Sequence, residues 1–353
     1  MSSPTGTADA VDATSSVGQT RRRLGRAAVA VWTCALAAYC VRYGFPFDRA
    51  NMSLWILSGL LAASVGRPWR RVGRIFRDWL PFILLLYLYD YSRGAADSLG
   101  ATVQVEGPIL WDRVLFLGAD PAVWLQQRFY DPQAVQWWDK VGALIYISHF
   151  FVVWVIAAVL YQRNSDHWFR WARALIALSF AGLVTYALLP AAPPWYAAEE
   201  GLLPPLDRIS TRGLDAMGLS FAESLVDQGR AVTNDVAAIP SLHTAFAVLV
   251  AVWFFRRVPQ RHRWWAQPLL VAYPVAMLAT LVYSGEHYVI DGIIGAAYVV
   301  AVLAGLAWWD RWRAGRREAE AGPGSHVPAP DSVLGDLGQQ YGGVLEDRSA
   351  HRE

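Results

Sequence analysis

Eight apolar stretches punctuate the chain, at roughly 27–43, 52–65, 79–92, 141–161, 174–190, 239–255, 268–284 and 288–309, separated by polar segments. A helix that crosses a bilayer needs about 20 mainly apolar residues. The fourth to eighth stretches supply them readily, while the second and third must borrow flanking residues. The first follows Arg21–Arg23, as a signal peptide would. It runs on into Tyr39-Cys40-Val41-Arg42-Tyr43 rather than a small-residue cleavage pattern, so it reads as an uncleaved span. The pattern predicts an all-α, polytopic membrane helical bundle of about eight transmembrane helices. Residues 1–20 and 318–353 lack periodicity and read as disordered tails flanking a membrane domain at 21–317.

Arginine placement orients these spans. With the N-terminus inside, the inner segments carry 20 basic residues in 43 positions, and the outer segments carry 8 in 109. That asymmetry follows the positive-inside rule and puts both termini in the cytoplasm. Removing one span would break the alternation. Composition agrees, with 55% apolar residues and only 17% charged. A net charge of +2 argues against a nucleic-acid partner, whose footprint is a strong basic excess. Among the 18 tryptophans, Trp69, Trp79, Trp168, Trp171, Trp264, Trp265, Trp308, Trp309 and Trp312 fall at inner ends, as interfacial anchors do. Cys34 and Cys40, six apart on one helix, are too far apart for a disulfide. Two outer segments are long. Residues 108–130 have helical spacing that suits a helix lying on the membrane surface. Residues 191–238 include an amphipathic piece near 209–227.

Ionisable groups at membrane depth are costly, so each one is a candidate for function. Pro240-Ser241-Leu242-His243 opens the sixth span. Pro suits a first helical turn, and a helix N-terminus with Ser241 beside it attracts anions. His287-Tyr288-Val289-Ile290-Asp291 opens the eighth. His287 and Asp291, four apart, share a helix face. There the carboxylate accepts Nδ1–H and leaves Nε2 as nucleophile or base. His243 also has a plain structural reading, as a hydrogen bond to a neighbouring helix, and His287 with Asp291 has another, as a purely structural pair. Topology, counted without them, brings both to the outer face at similar depth. Two imidazoles, one oriented by a carboxylate, suit phosphoryl transfer.

Pro-Ser-x-His followed about forty residues later by His-x3-Asp resembles the type 2 phosphatidic acid phosphatase superfamily. Ser284-Gly285-Glu286-His287-Tyr288-Val289-Ile290-Asp291 and Pro193-Pro194-Trp195-Tyr196 resemble its inositolphosphorylceramide-synthase-like branch. The resemblance implies a six-helix catalytic core within about 79–310. It implies His243 as the acid that protonates the leaving group, His287 as the residue that forms a phosphohistidine, and Asp291 as its support. It implies no metal and no cofactor. The expected activity is cleavage of a phospholipid or lipid-linked phosphate on the extracytoplasmic face of the cell membrane, with transfer to an alcohol or to water. The superfamily's Lys-x6-Arg-Pro is missing, since the only Arg-Pro is Arg67-Pro68 with Leu60 at the Lys position. Its second Arg would fall at Leu281. A transferred phosphoryl group needs positive charge around it, for which Arg93 and then Arg230 are the candidates. Lys140 beside Asp139 reads as a solvated pair, and His149 as an interhelical bond. Ser241, Trp195 and Tyr196 complete the expected substrate contacts. Three other readings stay open: a plain lipid or polyprenyl phosphate phosphatase, a proton-coupled transporter with a His–Asp relay, and a zinc site on His243, His287 and Asp291.

Overall fold

The structure is a computed structural model that describes residues 6–46, 48–95, 100–219 and 235–321. The described residues are almost entirely helical, and they pair as strands only in isolated bridges at Gln104–Ala191 and Ala191–Ala237. Each of the eight apolar stretches lies within or largely within a helix. In chain order the helices are α1 Gly6–Tyr43, α2 Arg49–Ala62, α3 Trp69–Ala95, α4 Glu106–Leu115, α5 Pro121–Phe129 and α6 Trp137–Arg163. They continue with α7 Ser165–Leu188, α8 Pro194–Glu199, α9 Arg212–Asp215, α10 Leu242–Phe255, α11 Arg263–Tyr283 and α12 Val289–Ala321. Among the described residues, five helical segments are long and apolar enough to cross a membrane: Gln19–Tyr43, Trp137–Arg163, Ser165–Leu188, Gln260–Tyr283 and Val289–Arg317. Helix α10 is apolar but shorter. The chain is thus a polytopic helical bundle.

Two compact units divide the chain. The first holds Met1–Gly100, Asp131–Ala172 and Ile209–Asp235. Within it α2 packs against α1, α3 and α6. Helix α1 starts at Gly6, inside the stretch expected to be a disordered tail. Residues 7–17 contain neither Gly nor Pro, and extending an existing helix is easier than nucleating one. Trp79, Trp168 and Trp171 are buried rather than interfacial. Trp79 meets Phe82, Tyr161 and Trp168 ring to ring, and Trp171 Nε1 donates to Val153 O at 3.1 Å. The other six inner-end tryptophans are exposed or nearly so. Asp139 does not face water as expected. It is buried, accepts from the Gln136 N–H at 2.8 Å in a capping box, and lies 4.0 Å from Arg212 Nε.

The second unit holds Ala101–Tyr130, Arg173–Arg208 and Val236–Glu353. Helix α10 packs against α11 and α12, with α5 against α11 and α4 against α12. The expected surface helix at 108–130 is instead the pair α4–α5. It turns at Leu117 and Gly118, both in the left-handed region with φ of 55° and 95°. Arg113 closes the turn with a forked bond to Asp120, at 2.8 and 2.9 Å. Helix α12 runs to Ala321, into the segment expected as a second tail, whose remainder lies outside the described residues. Of the amphipathic piece near 209–227, α9 forms a single turn, and residues beyond 219 lie outside the described residues.

Candidate active site

The site is built where α10 and α12 begin, in the second unit. Ser241 is the N-cap of α10, its hydroxyl accepting from the Thr244 N–H at 3.3 Å. Its own N–H donates to Asp291 O at 3.0 Å, which ties the start of α10 to the first turn of α12. Gly295 makes the approach close enough. A Cβ there would lie 2.5 Å from Ser241 O. Tyr186 Oη donates to Pro240 O at 2.7 Å and steadies the same entry.

This crossing brings the two expected histidines together. The rings of His243 and His287 lie 5.6 Å apart, edge to face at 63°. Asp291 is fully buried. Its Oδ2 lies 3.2 Å from His287 Nδ1 and accepts from the Tyr288 N–H at 2.8 Å. With that oxygen accepting, the imidazole proton sits on Nδ1 and the Nε2 lone pair is available. His243 is only partly buried, whereas His287 is buried. Among the described residues, no three His, Cys, Asp or Glu side chains are gathered as a metal ion would require.

The loop carrying His287 is held from several sides. Gly285 has φ 75°, and a Cβ on it would lie 2.4 Å from Leu206 Cδ2 and 3.1 Å from Asp207 O. Its carbonyl accepts from the Trp195 N–H at 3.1 Å. Gln126 is buried in α5. Its Nε2 donates to Asp207 O at 2.7 Å and Tyr283 O at 2.9 Å, and its Oε1 accepts from the Asp207 N–H at 3.0 Å. Arg208 forks onto the buried Glu286 with two bonds of 3.0 Å, its guanidinium 4.8 Å from the Trp195 ring centre. Asp112 is 1% exposed, and its two oxygens accept from the Val289 and Ile290 N–H groups at 3.0 and 2.9 Å. Burial pushes the Asp112 carboxyl up to about 6, the two backbone N–H bonds hold it down, and Asp291 and Asp120 add to the rise.

Ser241, His243, His287, Asp291 and Trp195 therefore belong to one unit, and Tyr196 sits beside Trp195, ring against ring at 5.8 Å. Arg93 ends α3 in the first unit, where it bonds Tyr89. Arg230 lies outside the described residues. The sequence reading missed Arg208, Gln126 and Asp112. Arg208 and Glu286 are 78 residues apart, and neither sits in a motif that would pair them. Asp112 carried one signal, a carboxylate on the apolar-spaced stretch 108–130.

Comparison with known proteins fits this constellation. Residues 109–305 match the model of the PAP2 superfamily, and the chain belongs to that superfamily. It is 28% identical over 225 residues to the phosphoinositol dihydroceramide synthase of Bacteroides thetaiotaomicron, covering 61% of this chain and 71% of that protein. It is 27% identical over 170 residues to the inositol phosphorylceramide synthase catalytic subunit of Saccharomyces cerevisiae, covering 44% of this chain and 39% of that one. No solved structure matches.

Proposed function

We propose that this protein is an integral membrane lipid phosphotransferase that moves a phosphoinositol-type headgroup to a lipid alcohol through a phosphohistidine on His287. One observation carries the reading: His243 and His287 face one another at 5.6 Å while His287 is tied to Asp291. The names of the two relatives point to the headgroup and to a ceramide-class acceptor.

The chemistry runs in two displacements. His287 Nε2 attacks phosphorus and forms a P–N bond. The P–O bond to the donor lipid breaks, and protonated His243 gives its proton to the departing oxygen. His243, now neutral, then takes the proton of the acceptor hydroxyl. That oxygen attacks phosphorus, the P–N bond breaks, and His287 is restored. Asp291 holds the Nδ1–H throughout and stabilises the positive charge that develops on the ring. Water in place of the alcohol would give a phosphatase. The arginine asymmetry of the sequence supports the extracytoplasmic face as the side where the reaction runs. Arg208, bonded to Glu286 next to His287, is a basic group beside the His287 loop and joins the sequence candidates Arg93 and Arg230 as a proposed source of positive charge.

The test uses proteoliposomes with a donor lipid labelled in the headgroup and a ceramide-class acceptor. The expected result is label in the acceptor lipid, lost in His287→Ala while the variant still folds. Label released only to water assigns the phosphatase reading. Full activity in His287→Ala rejects both.

A further inference from the structure

We infer that Asp112 is a positioning residue for the proposed reaction: its carboxylate, carried on α4, caps the helix that holds Asp291 and thereby sets the register of the His287–Asp291 pair against His243. The inference rests on the transfer reading above. The first N–H groups of a helix have no partner within it. In α12 those of Val289 and Ile290 are satisfied by Asp112, from 177 and 178 residues away in sequence. The next N–H upstream, that of Tyr288, is taken by Asp291 itself. The first turn of α12 is thus bonded to two carboxylates, one reaching in from a separate helix and one working on His287.

The consequence is geometric. His287 lies just before the turn and Asp291 within it. Sliding or rotating that turn changes both the His287–Asp291 bond and the direction of Nε2. The backbone ties the loop only as far as His287, whose N–H and that of Glu286 donate to Leu281 O at 3.3 and 3.0 Å, and the N–H groups of Val289 and Ile290 are held by Asp112. Asp112 is itself enclosed. It is 1% exposed, and its neighbour Arg113 is forked onto Asp120. Ile109, one turn earlier on α4, packs with Val282 and Tyr288 on either side of the loop. The carboxylate also occupies the positive end of the α12 dipole.

The experiment compares wild type, Asp112→Asn and His287→Ala in the same headgroup-transfer assay, with thermal midpoints measured in parallel. Asn keeps the shape but offers one acceptor oxygen where two N–H groups need partners. The expected result for Asp112→Asn is kcat lower by about 10- to 100-fold, as a small misplacement costs, with KM within about twofold and the folded fraction unchanged. Asp112→Glu, which keeps the charge and moves the oxygens by one methylene, should also lower kcat without raising KM, and it serves if the Asn variant does not fold. Wild-type kcat in a folded Asp112 variant, or a loss matched by the unfolded fraction, overturns the inference. If His287→Ala keeps full activity, the transfer reading has failed instead.

Discussion

Asp291 meets its two polar partners through a single oxygen, so His287 and the Tyr288 N–H share Oδ2 in a fully buried place. Removing one partner of a buried charged pair costs about 3–5 kcal/mol, because the other is left without compensation. Asp291→Ala should therefore lower both activity and thermal midpoint, and His287→Ala should abolish transfer and lower the midpoint as well, since it leaves the buried carboxylate with only the Tyr288 N–H. Gly285 makes a separate demand. Its φ of 75° and the nearby Leu206 and Asp207 leave no room for a Cβ. Gly285→Ala should cost about 1–3 kcal/mol and lower kcat, as read by unfolding and turnover of one preparation. Asp112 gives a pH dependence with a definite sign. Its folded value of about 6 lies above the ordinary 3.8, so the native state holds that proton more tightly than the unfolded chain. The stability this confers is full below about pH 4 and is lost as pH rises through about 6. Between pH 4 and 7 the wild type should lose up to about 3 kcal/mol relative to Asp112→Asn. The charged and titratable groups acting on or with Asp112 are Asp291, Asp120 and Tyr288, none of which the substitution alters.

At the scale of elements, two short segments that are not spans do most of the holding. The α4–α5 pair contributes Asp112 and Gln126, and the chain from α8 to residue 208 contributes Trp195, Leu206 and Arg208. The opposite side of α4–α5 is apolar and exposed, with Leu110, Trp111, Val114, Leu117 and Trp124 each more than half exposed. A surface helix pair of that kind buries its apolar side in the headgroup zone. In bilayers with brominated acyl chains, emission from a variant keeping only Trp111 and Trp124 should be strongly quenched, and Leu117→Asp should weaken the quenching. Arg208→Ala should cost about 2–5 kcal/mol by stranding Glu286, and Glu286→Gln in the same chain should recover part of it. The spans themselves were legible because apolar runs of membrane length have few other uses. So was the meeting of His243 with His287 and Asp291, because His287 and Asp291 are four apart and both motifs open apolar stretches. Asp112, Gln126 and Arg208 were not, since each acts across about 80 to 180 residues on a backbone group or side chain that no local pattern marks. The tryptophans show the same limit. Trp79 and Trp171 sit where anchors sit, yet they are buried, because helix ends pack as well as face lipid.

For the whole molecule, the helices and the family membership describe a helical bundle, and the proposed chemistry is gathered at the start of two of its helices. The arginine pattern makes the side of the membrane testable. Cys34 and Cys40 are free thiols. With both replaced, a single cysteine placed at Ser165 should be shielded from an impermeant reagent in intact cells, and one at Glu199 should be labelled. The most direct test of the central claim is the covalent intermediate. Purified protein is mixed with a headgroup-donor lipid and no acceptor, quenched at alkaline pH, digested and weighed by mass spectrometry. The account predicts that the peptide carrying His287 gains the mass of the transferred headgroup phosphate. It also predicts that the gain disappears on adding acceptor and is absent in His287→Ala. An active enzyme whose His287 peptide never gains that mass, or which gains it equally in His287→Ala, would contradict it.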